Sequence, residues 1–234
     1  MPAPPASSSL TARDALPVVE TFHSLQGEGL HAGRSAFFIR LGGCRVGCSW
    51  CDTKHSWPEQ AHPLCPAEDL ATEARSAAQA GAAFVVITGG EPLHHNLDNL
   101  CATLTSQVLN RQGQPIPLHL ETSGVDGLSG RFAWITLSPK PHRPPCPELL
   151  AACDELKVIV HTASDLAFAE AMATAAEQAK AQLHQGATRV GSGPELLLQP
   201  GWQSPVGQNL AIDFVRQHPQ WRLSLQSHKW LGVR

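Results

Sequence analysis

The sequence predicts an α/β fold, an incomplete, open β/α barrel of about six parallel strands. Two observations support this prediction. Short apolar runs, such as residues 83–88, alternate with longer segments of helical periodicity, such as 66–80, and this alternation is typical of a parallel sheet covered by helices. Polar residues also follow several of the apolar runs, at the strand ends where such folds bind ligands. The same rhythm would also suit a doubly wound sheet.

The predicted elements follow one another along the chain. We predict strands over residues 16–22, 36–41, 83–88, 117–121, 132–137, 155–160, 195–198 and 222–225. We predict helices over residues 66–80, 97–109, 164–183 and 206–217. Pro66 and Gly81 mark the start and stop of the first helix, and Ser164 is the predicted N-cap of the third, with Asp165 in its first turn.

Length and composition are those of a globular protein. The chain has 234 residues, enough for one well-buried domain but slightly short for a complete eight-fold barrel, which needs about 250. We expect a disordered, Pro/Ser-rich tail over residues 1–15 and a single domain over 16–234. The net charge is −3 and there is no basic run, so no nucleic-acid partner is expected. No stretch approaches the ~20 apolar residues of a membrane helix, so no membrane partner is expected either.

A cysteine loop directly follows the strand predicted at 36–41. Cys44, Cys48 and Cys51 have C-x3-C-x2-C spacing, and glycines allow the backbone to bend so that three thiolates converge. A closed zinc site needs four protein ligands, whereas a cubane iron-sulfur cluster held by three cysteines leaves one iron open. The loop therefore favours a cluster. A zinc site completed by His55 or Cys65 is the second alternative, and a disulfide is weaker.

The odd total of seven cysteines also indicates a reducing compartment, and we expect a cytoplasmic protein. Five polar clusters stand at the predicted carboxyl ends of strands, and on a parallel barrel they would surround the cysteine loop. A cap or a turn would explain any single cluster, and it is the occurrence of five on one face that indicates a site. The clusters are Thr88–Glu91, Glu121–Gly124, Ser138–Lys140, Gln199–Pro200 and Gln226–Lys229.

Two further residues flank the loop. Arg40 is a cation within an apolar strand, where burial is costly unless an anion is near, so it is a candidate anion-binding residue. The alternative is an arginine whose head reaches water. Thr53 offers a hard oxygen ligand that suits Mg²⁺, although a Thr that follows an Asp is by itself only a turn signal.

The cysteine spacing, followed by Thr88-Gly89-Gly90-Glu91-Pro92, resembles the radical S-adenosylmethionine enzymes. This resemblance implies a [4Fe–4S] cluster on Cys44, Cys48 and Cys51 whose open iron is chelated by the amino and carboxylate groups of S-adenosylmethionine. It also implies that Trp50 lies against the adenine and that the Gly-Gly-Glu-Pro segment lines the methionine amino group.

Longer segments resemble one family in that superfamily, the 7-carboxy-7-deazaguanine synthases. The matching segments are 24–29, 40–53, 88–92, 121–124, 138–140, 198–200 and 226–232. The resemblance implies a lyase that contracts the ring of 6-carboxy-5,6,7,8-tetrahydropterin to 7-carboxy-7-deazaguanine and releases ammonia, in queuosine and 7-deazapurine biosynthesis. It implies a radical S-adenosylmethionine core and the assistance of Mg²⁺.

The family resemblance also implies roles for individual residues. Those implied to contact S-adenosylmethionine are Trp50, Cys51, Asp52, Gly90, Glu91, Ser138, Pro139, Lys140, Gln199 and Pro200. Those implied to surround the pterin are Leu25, Gln26, Gly27, Glu28, Arg40, Thr88, Glu121, His228 and Arg234, the last through its carboxylate. Thr53 is implied to bind Mg²⁺.

The resemblance further implies an electron donor such as flavodoxin or ferredoxin, and a homodimer. Two other functions remain alternatives at this point. A glycyl-radical-enzyme activase shares the loop and the short length, but it would need an open groove for a protein loop. A zinc-stabilised binding module would need a fourth ligand beside the three cysteines.

Overall fold

The computed structural model describes residues 15–183 and 193–234. The predicted tail over 1–15 lies outside the described residues except for Ala15. The strands are β1 Ala15–Leu25, β2 Ser35–Leu41, β3 Leu64–Pro66, β4 Phe84–Gly89, β5 Leu118–Thr122, β6 Trp134–Leu137, β7 Glu155–Val160, β8 Glu195–Pro200 and β9 Trp221–Leu223. The helices are α1 Ala67–Ala80, α2 Asp98–Gln107, α3 Pro147–Ala152, α4 Ala163–Leu183, α5 Pro205–Gln217 and α6 Ser227–Leu231.

All nine described strands form one sheet. Their order is β3-β1-β2-β4-β5-β6-β7-β8-β9, so β3 and β9 are its edges and the sheet is open. Every neighbouring pair from β2 to β9 is parallel, whereas β1 is antiparallel to both β2 and β3. The described part of the chain therefore contains seven parallel strands, and an antiparallel extension lies at one edge.

Most predicted elements match the described ones to within a few residues. The first strand is longer than predicted, because β1 continues to Leu25 in antiparallel pairing with β2. The predicted N-cap Ser164 is wrong, because α4 begins at Ala163 and Ser164 lies inside the first turn. Asp165 instead accepts hydrogen bonds from the backbone N–H groups of His161 and Thr162, just before the helix. The short elements β3, α3 and α6 were missed, because three to six residues carry too little periodicity.

The sheet is covered on its outer side by the helices. In α1 the buried side chains include Leu70, Ala71, Ala74 and Ala78, and the small residues let the helix lie close to the strands. Gly81 ends α1 in a left-handed conformation with φ of 116°, as a C-terminal glycine commonly does. β4 is apolar and buried on both faces over Phe84–Ile87, as predicted for a parallel sheet, whereas β7 is buried but carries Glu155 and Lys157 on one face.

The connection between β1 and β2, residues 26–34, crosses the inner side of the sheet. Its backbone is anchored to distant elements: Gly29 N donates to Ser224 Oγ at 2.9 Å, and Leu30 N donates to Glu155 Oε2 at 2.8 Å. This connection brings its polar residues into the concave side, where the candidate site lies. None of the described helices is long and apolar enough to cross a membrane.

Candidate active site

The cysteine loop leaves the carboxyl end of β2 and is fixed by backbone hydrogen bonds. Gly43 N donates to Ser56 O at 2.8 Å, Cys44 N to Trp57 O at 3.1 Å, and Cys51 N to Cys48 O at 3.2 Å. The three thiols are not in disulfides, and all three line a cavity of about 590 Å³ on the concave side of the sheet.

The Gly-Gly-Glu-Pro segment packs directly against this loop. It follows β4, whose Gly89 is the register partner of Leu41 in β2. Gly90 N donates to Leu41 O and Glu91 N donates to Gly43 O, both at 2.9 Å. A Cβ atom on Gly90 would lie 2.3 Å from Gly43 O, so only glycine permits this approach. The two motifs form one structural unit because neighbouring parallel strands deliver them side by side.

The carboxylate of Glu91 holds the ends of two strands together. It accepts hydrogen bonds from Leu93 N at 3.1 Å, from Ser123 N at 2.8 Å, and from the hydroxyls of Thr122 and Ser123. Glu91 is buried and lines the cavity, as its predicted cofactor role requires. Its carboxylate oxygens are nevertheless engaged by protein donors, so its described contacts are structural.

Nine of the ten residues predicted to contact S-adenosylmethionine line this first cavity. The exception is Pro139, which lines neither cavity of the site. Ser138 and Lys140 lie on the same side of the chain, because Lys140 Nζ donates to Ser138 Oγ at 2.7 Å. Alternate residues of an extended segment point to opposite sides, so Pro139 faces away. The residues that do line the cavity are Trp50, Cys51, Asp52, Gly90, Glu91, Ser138, Lys140, Gln199 and Pro200.

Burial changes the protonation of the groups around the thiols. It raises the pKa of Cys44 and of Cys48 above the ordinary value, because the charged thiolate loses solvation. It lowers the pKa of the Lys140 ammonium for the same reason, while the nearby Cys48 thiolate opposes that change. A thiolate at Cys48 and an ammonium at Lys140 therefore stabilise each other.

A second cavity, of about 210 Å³, adjoins the first. All nine residues predicted to surround the pterin line it: Leu25, Gln26, Gly27, Glu28, Arg40, Thr88, Glu121, His228 and Arg234. The two cavities share Glu28, Asp52, Thr53, Thr88, Gly89, Glu121 and Gln226. A ligand in the second cavity would therefore lie next to a ligand in the first.

Glu121 stands at the carboxyl end of β5, between the two cavities. Its Oε1 accepts from Gln26 Nε2, and its Oε2 accepts from Thr88 Oγ1, both at 2.9 Å. Both carboxylate oxygens are thereby held in fixed positions, each with capacity for a second donor.

Arg40 is paired with a residue that the sequence analysis missed. Its Nε lies 3.0 Å from Glu20 Oε1, and its guanidinium carbon is 5.7 Å from the centre of the Phe22 ring. Glu20 is the register partner of Arg40 in the antiparallel β1–β2 pair. A lone carboxylate in the first apolar run was the available signal, and it became meaningful only once the pairing of the two strands was known.

Lys157 is a second missed residue. It lies within β7, is only 4% exposed, and forms an ion pair with Glu28. Burial alone would lower the pKa of Lys157, but the carboxylates of Glu28, Glu121 and Glu155 raise it above its usual range. Burial alone would likewise raise the pKa of Glu28, but Lys157 outweighs this effect and lowers it to about 2. Glu28 is thus an ionised member of the cavity wall, and a lone lysine in an apolar strand was the missed signal.

The last segment of the chain, residues 224–234, lies along one side of both cavities. Ser227 N donates to Gly27 O at 2.9 Å, and Gln226 Nε2 donates to Glu28 Oε1 at 2.8 Å. Lys229 forms an ion pair with Asp52 of the cysteine loop. We refer to this stretch below as the 224–234 segment.

The geometry does not support the zinc alternative. Neither His55 nor Cys65 lines the cavity, and the Cys65 thiol is directed at Pro63 O in the edge region of β3. Three free thiols around a spacious cavity fit a cluster with one open position instead.

Comparison with known proteins defines the class of this protein. The family model of the radical SAM superfamily matches residues 38–174, more than half of the chain. The chain belongs to that superfamily, and membership implies a [4Fe–4S] cluster and S-adenosylmethionine as cofactors.

More similar proteins identify the family. The chain is 56% identical over 220 residues to the 7-carboxy-7-deazaguanine synthase of Prochlorococcus marinus, covering 93% of this chain and 98% of the relative. It is 46% identical over 230 residues to the synthase of Synechocystis sp., covering 98% of each. The crystal structure of QueE from Escherichia coli matches with a TM-score of 0.70 and 30% identity, covering 95% of this chain and 100% of that one. The chain belongs to the 7-carboxy-7-deazaguanine synthase family, which confirms the predicted family and fold class.

Proposed function

We propose that this protein contracts the ring of 6-carboxy-5,6,7,8-tetrahydropterin to 7-carboxy-7-deazaguanine with release of ammonia, in queuosine and 7-deazapurine biosynthesis. The observation that carries the proposal is the pair of adjoining cavities. One contains the three free thiols, and the other contains an arginine and a carboxylate that match the two ends of the substrate.

The second cavity offers complementary charges to a carboxylated pterin. Arg40 uses Nε for Glu20, and its two terminal nitrogens have no acceptor among the described residues. Those nitrogens suit the substrate carboxylate, which accepts two parallel hydrogen bonds. Glu121 suits the amino-pyrimidine edge, because that edge presents N–H donors to a carboxylate already oriented by Gln26 and Thr88. The substrate would thus be held at both ends.

The first cavity would hold the cofactors. Bound there, the cluster and S-adenosylmethionine supply the radical chemistry, and the protein supplies orientation and shielding. Cys44, Cys48 and Cys51 would hold the cluster through their thiolates. Trp50 offers an aromatic face for the adenine, standing 5.5 Å from the ring of His161.

Polar groups of the same cavity suit the remaining parts of S-adenosylmethionine. The predicted contacts with Asp52, Gly90, Ser138, Lys140 and Gln199 remain proposals. Gln199 is fixed by Ser224 Oγ, which donates to its Oε1 at 2.7 Å. Lys140 is a half-buried cation close to Cys48 and is suited to an anionic group.

We also propose that Thr53 binds Mg²⁺ between cofactor and substrate. Thr53 and Asp52 line both cavities, so an ion at Thr53 would lie where the two ligands meet. Mg²⁺ commonly keeps several waters and takes few protein ligands, so one hydroxyl plus substrate oxygens is a sufficient set. The Thr53 hydroxyl is 3.5 Å from the Cys51 sulfur, a weak contact that an ion would replace.

The 224–234 segment is proposed to shield the reaction from water. It is fastened to Gly27, Glu28 and Asp52 by the contacts described above, and it borders the second cavity with Gln226, His228 and Arg234. Excluding water limits side reactions of a radical. A cavity bordered in this way by the protein's own chain also disfavours the activase alternative, which would need an open groove for a protein loop.

Two partners belong to this proposal. An acidic electron donor such as flavodoxin or ferredoxin would suit the outer face of the cysteine loop, where Arg45, His142 and Arg143 are exposed and His142 Nε2 lies 3.9 Å from the Cys48 sulfur. A homodimer is supported by exposed apolar side chains near the end of the chain, including Leu225, Trp230 at 76% exposure, and Leu231. Measuring the rate of cluster reduction at increasing ionic strength would test the electron donor. Light scattering would test the homodimer.

The deciding assay uses anaerobically reconstituted, reduced protein with S-adenosylmethionine, Mg²⁺ and the carboxytetrahydropterin. Formation of 7-carboxy-7-deazaguanine is expected. Absence of that product, while 5′-deoxyadenosine still forms, would place the activity elsewhere in the superfamily. Arg40→Ala should abolish pterin turnover with cluster absorbance unchanged. Arg222→Ala is the matched control, because Arg222 pairs with Glu195 at 3.5 Å and lines neither cavity.

A further inference from the structure

The carboxylate of Glu20 connects two arginines of the proposed substrate cavity. Its Oε1 accepts from Arg40 Nε at 3.0 Å, and its Oε2 accepts from Arg234 Nη1 at 2.9 Å. Both arginines line the second cavity, whereas Glu20 stands behind them on β1 and does not. One acidic residue therefore ties β2 to the far end of the 224–234 segment.

At the Arg40 side, Glu20 sets the direction of the guanidinium. A guanidinium held at Nε presents its two terminal nitrogens on the opposite edge, which is the geometry that binds a carboxylate in two parallel hydrogen bonds. The guanidinium is also near the Phe22 ring, which limits its rotation. Glu20 and Phe22 together orient the Arg40 guanidinium toward the cavity.

At the Arg234 side, Glu20 completes the attachment of the segment. Ser24 Oγ donates to the main-chain oxygen of Arg234 at 2.7 Å, so β1 holds this residue by both backbone and side chain. The Arg234 side chain is 70% exposed and that of Glu20 is 29% exposed. Exposed ion pairs are weak and re-form readily, so this contact can open and close without leaving a buried charge unpaired.

We propose that Glu20 is a positioning residue that acts as a two-sided latch for the substrate cavity. One oxygen orients Arg40 toward the anionic end of the substrate, and the other fastens the 224–234 segment over the cavity. The identity of the substrate in this inference rests on the proposed function. The latch itself is a statement about the protein alone and is measurable without turnover.

The first test measures the segment directly. Hydrogen exchange followed by mass spectrometry compares the reconstituted wild type with Glu20→Gln, which removes the charge and keeps the shape. Amides of residues 224–234 should exchange about threefold faster in the variant, because the fastened state is less populated and the lost contact is an exposed ion pair. Glu195→Gln is the control, since it breaks a surface ion pair with Arg222 away from the cavities. Equal exchange in wild type and Glu20→Gln would overturn the latch.

The second test separates positioning from general structure. Glu20→Gln should raise KM for the carboxytetrahydropterin about tenfold, with kcat within about threefold and KM for S-adenosylmethionine unchanged. Arg234→Ala should raise the same KM about threefold, and adding it to Glu20→Gln should have little further effect, because the two residues share one contact. A loss of kcat with unchanged KM, or full additivity, would contradict the proposal.

The outcomes distinguish this inference from the proposed function. If the wild type forms no deazaguanine, the proposed function fails and the exchange experiment still decides whether the latch exists. If the wild type is active and Glu20→Gln matches it in exchange and KM, only the latch fails. A drop in melting temperature much larger than that of Glu195→Gln, with both readouts unchanged, would also overturn it, because the carboxylate would then be purely structural.

Discussion

The two ends of the same strands differ sharply on the concave side of the sheet. Residues two or four apart on a strand share a face, so each strand can be compared with itself. The compared positions, given as amino end and then carboxyl end, are Phe84 and Thr88 on β4, His119 and Glu121 on β5, and Trp134 and Thr136 on β6. The amino end is aromatic on all three strands and the carboxyl end is polar on all three.

The aromatic end is filled by packed rings. The rings of Phe84 and His119 are stacked with centroids 4.1 Å apart, and His31 from the β1–β2 connection lies 4.6 Å from Trp134. Arg34 covers the outer side, with its guanidinium 4.9 Å from the Phe84 ring. The polar end instead borders the cavity of about 590 Å³.

This difference shows how one sheet can be stable and still carry a polar site. Dense packing at the amino end contributes apolar burial and closes the concave side there. The carboxyl end can then carry carboxylates and ammonium groups, whose burial costs free energy unless they are paired. We therefore expect substitutions at the carboxyl end to lower activity and substitutions at the amino end to lower stability.

The largest effect is expected from removing a cluster thiol at the polar end. Cys48→Ala should reduce bound iron and bring deazaguanine formation below detection, because three thiolates are the minimum set for the cluster. Cys153→Ala is the matched control, since Cys153 is a fully buried cysteine outside the loop. Its iron content should equal that of the wild type. Equal iron in Cys48→Ala and the wild type would contradict the assignment.

At the aromatic end, Phe84→Ala should lower the free energy of unfolding by about 3–5 kcal/mol, because it removes a fully buried ring and leaves a cavity. Denaturant titration measures this change. KM for the pterin, taken on the folded protein, should not change. Thr88→Ala, at the other end of the same strand, should show the reverse pattern, with a raised KM and a smaller loss of stability. Similar effects of the two variants would remove the contrast between the ends.

Glu121→Gln tests the carboxylate that faces the substrate. The amide places an NH₂ group opposite one of the donors Gln26 Nε2 and Thr88 Oγ1, and it removes the charge that the pterin edge needs. We expect kcat/KM to fall about 100-fold, equivalent to about 2.7 kcal/mol. Glu148→Gln, an exposed carboxylate that accepts from Leu128 N at 3.1 Å, should leave kcat/KM unchanged. A loss of less than about threefold for Glu121→Gln would argue against this contact.

The smallest expected effect is a pH dependence of stability from the aromatic end. Burial, together with the charges of His31 and Arg34, lowers the pKa of His119 to about 3. An unfolded histidine has a pKa near 6.5, so between these values the unfolded chain binds the extra proton and stability falls as pH falls. The contribution is at most about 1.4 kcal/mol per pH unit below pH 6.5.

Replacing His119 by phenylalanine should remove that contribution to the slope. The measurement is the free energy of unfolding between pH 7 and pH 5 for wild type and His119→Phe. His55→Gln, which changes an exposed histidine, is the control and should keep the slope of the wild type. A slope that is the same with and without His119 would show that this residue is not the source.

Much of the candidate site was predictable because its residues belong to short motifs. The cysteine spacing, the Gly-Gly-Glu-Pro segment and the polar clusters after strands are local features, and parallel strands place local features of this kind on one edge. The predicted contact of Pro139 stays a prediction, because a motif does not state which way each of its residues points. Ser138 and Lys140 line the cavity, whereas the residue between them does not.

The sequence by itself determined the order of the longer strands and helices along the chain and the loop that offers three thiols, because periodicity and spacing act over a few residues. Only the tertiary structure decided which charges meet. Lys157 and Glu28 are 129 residues apart, and Arg234 and Glu20 are 214 residues apart. No local pattern links such residues, and their pairing depends on how the β1–β2 connection and the 224–234 segment cross the open side of the sheet. The physical reason is that a buried or half-buried charge must find a partner in space, wherever the chain brings one.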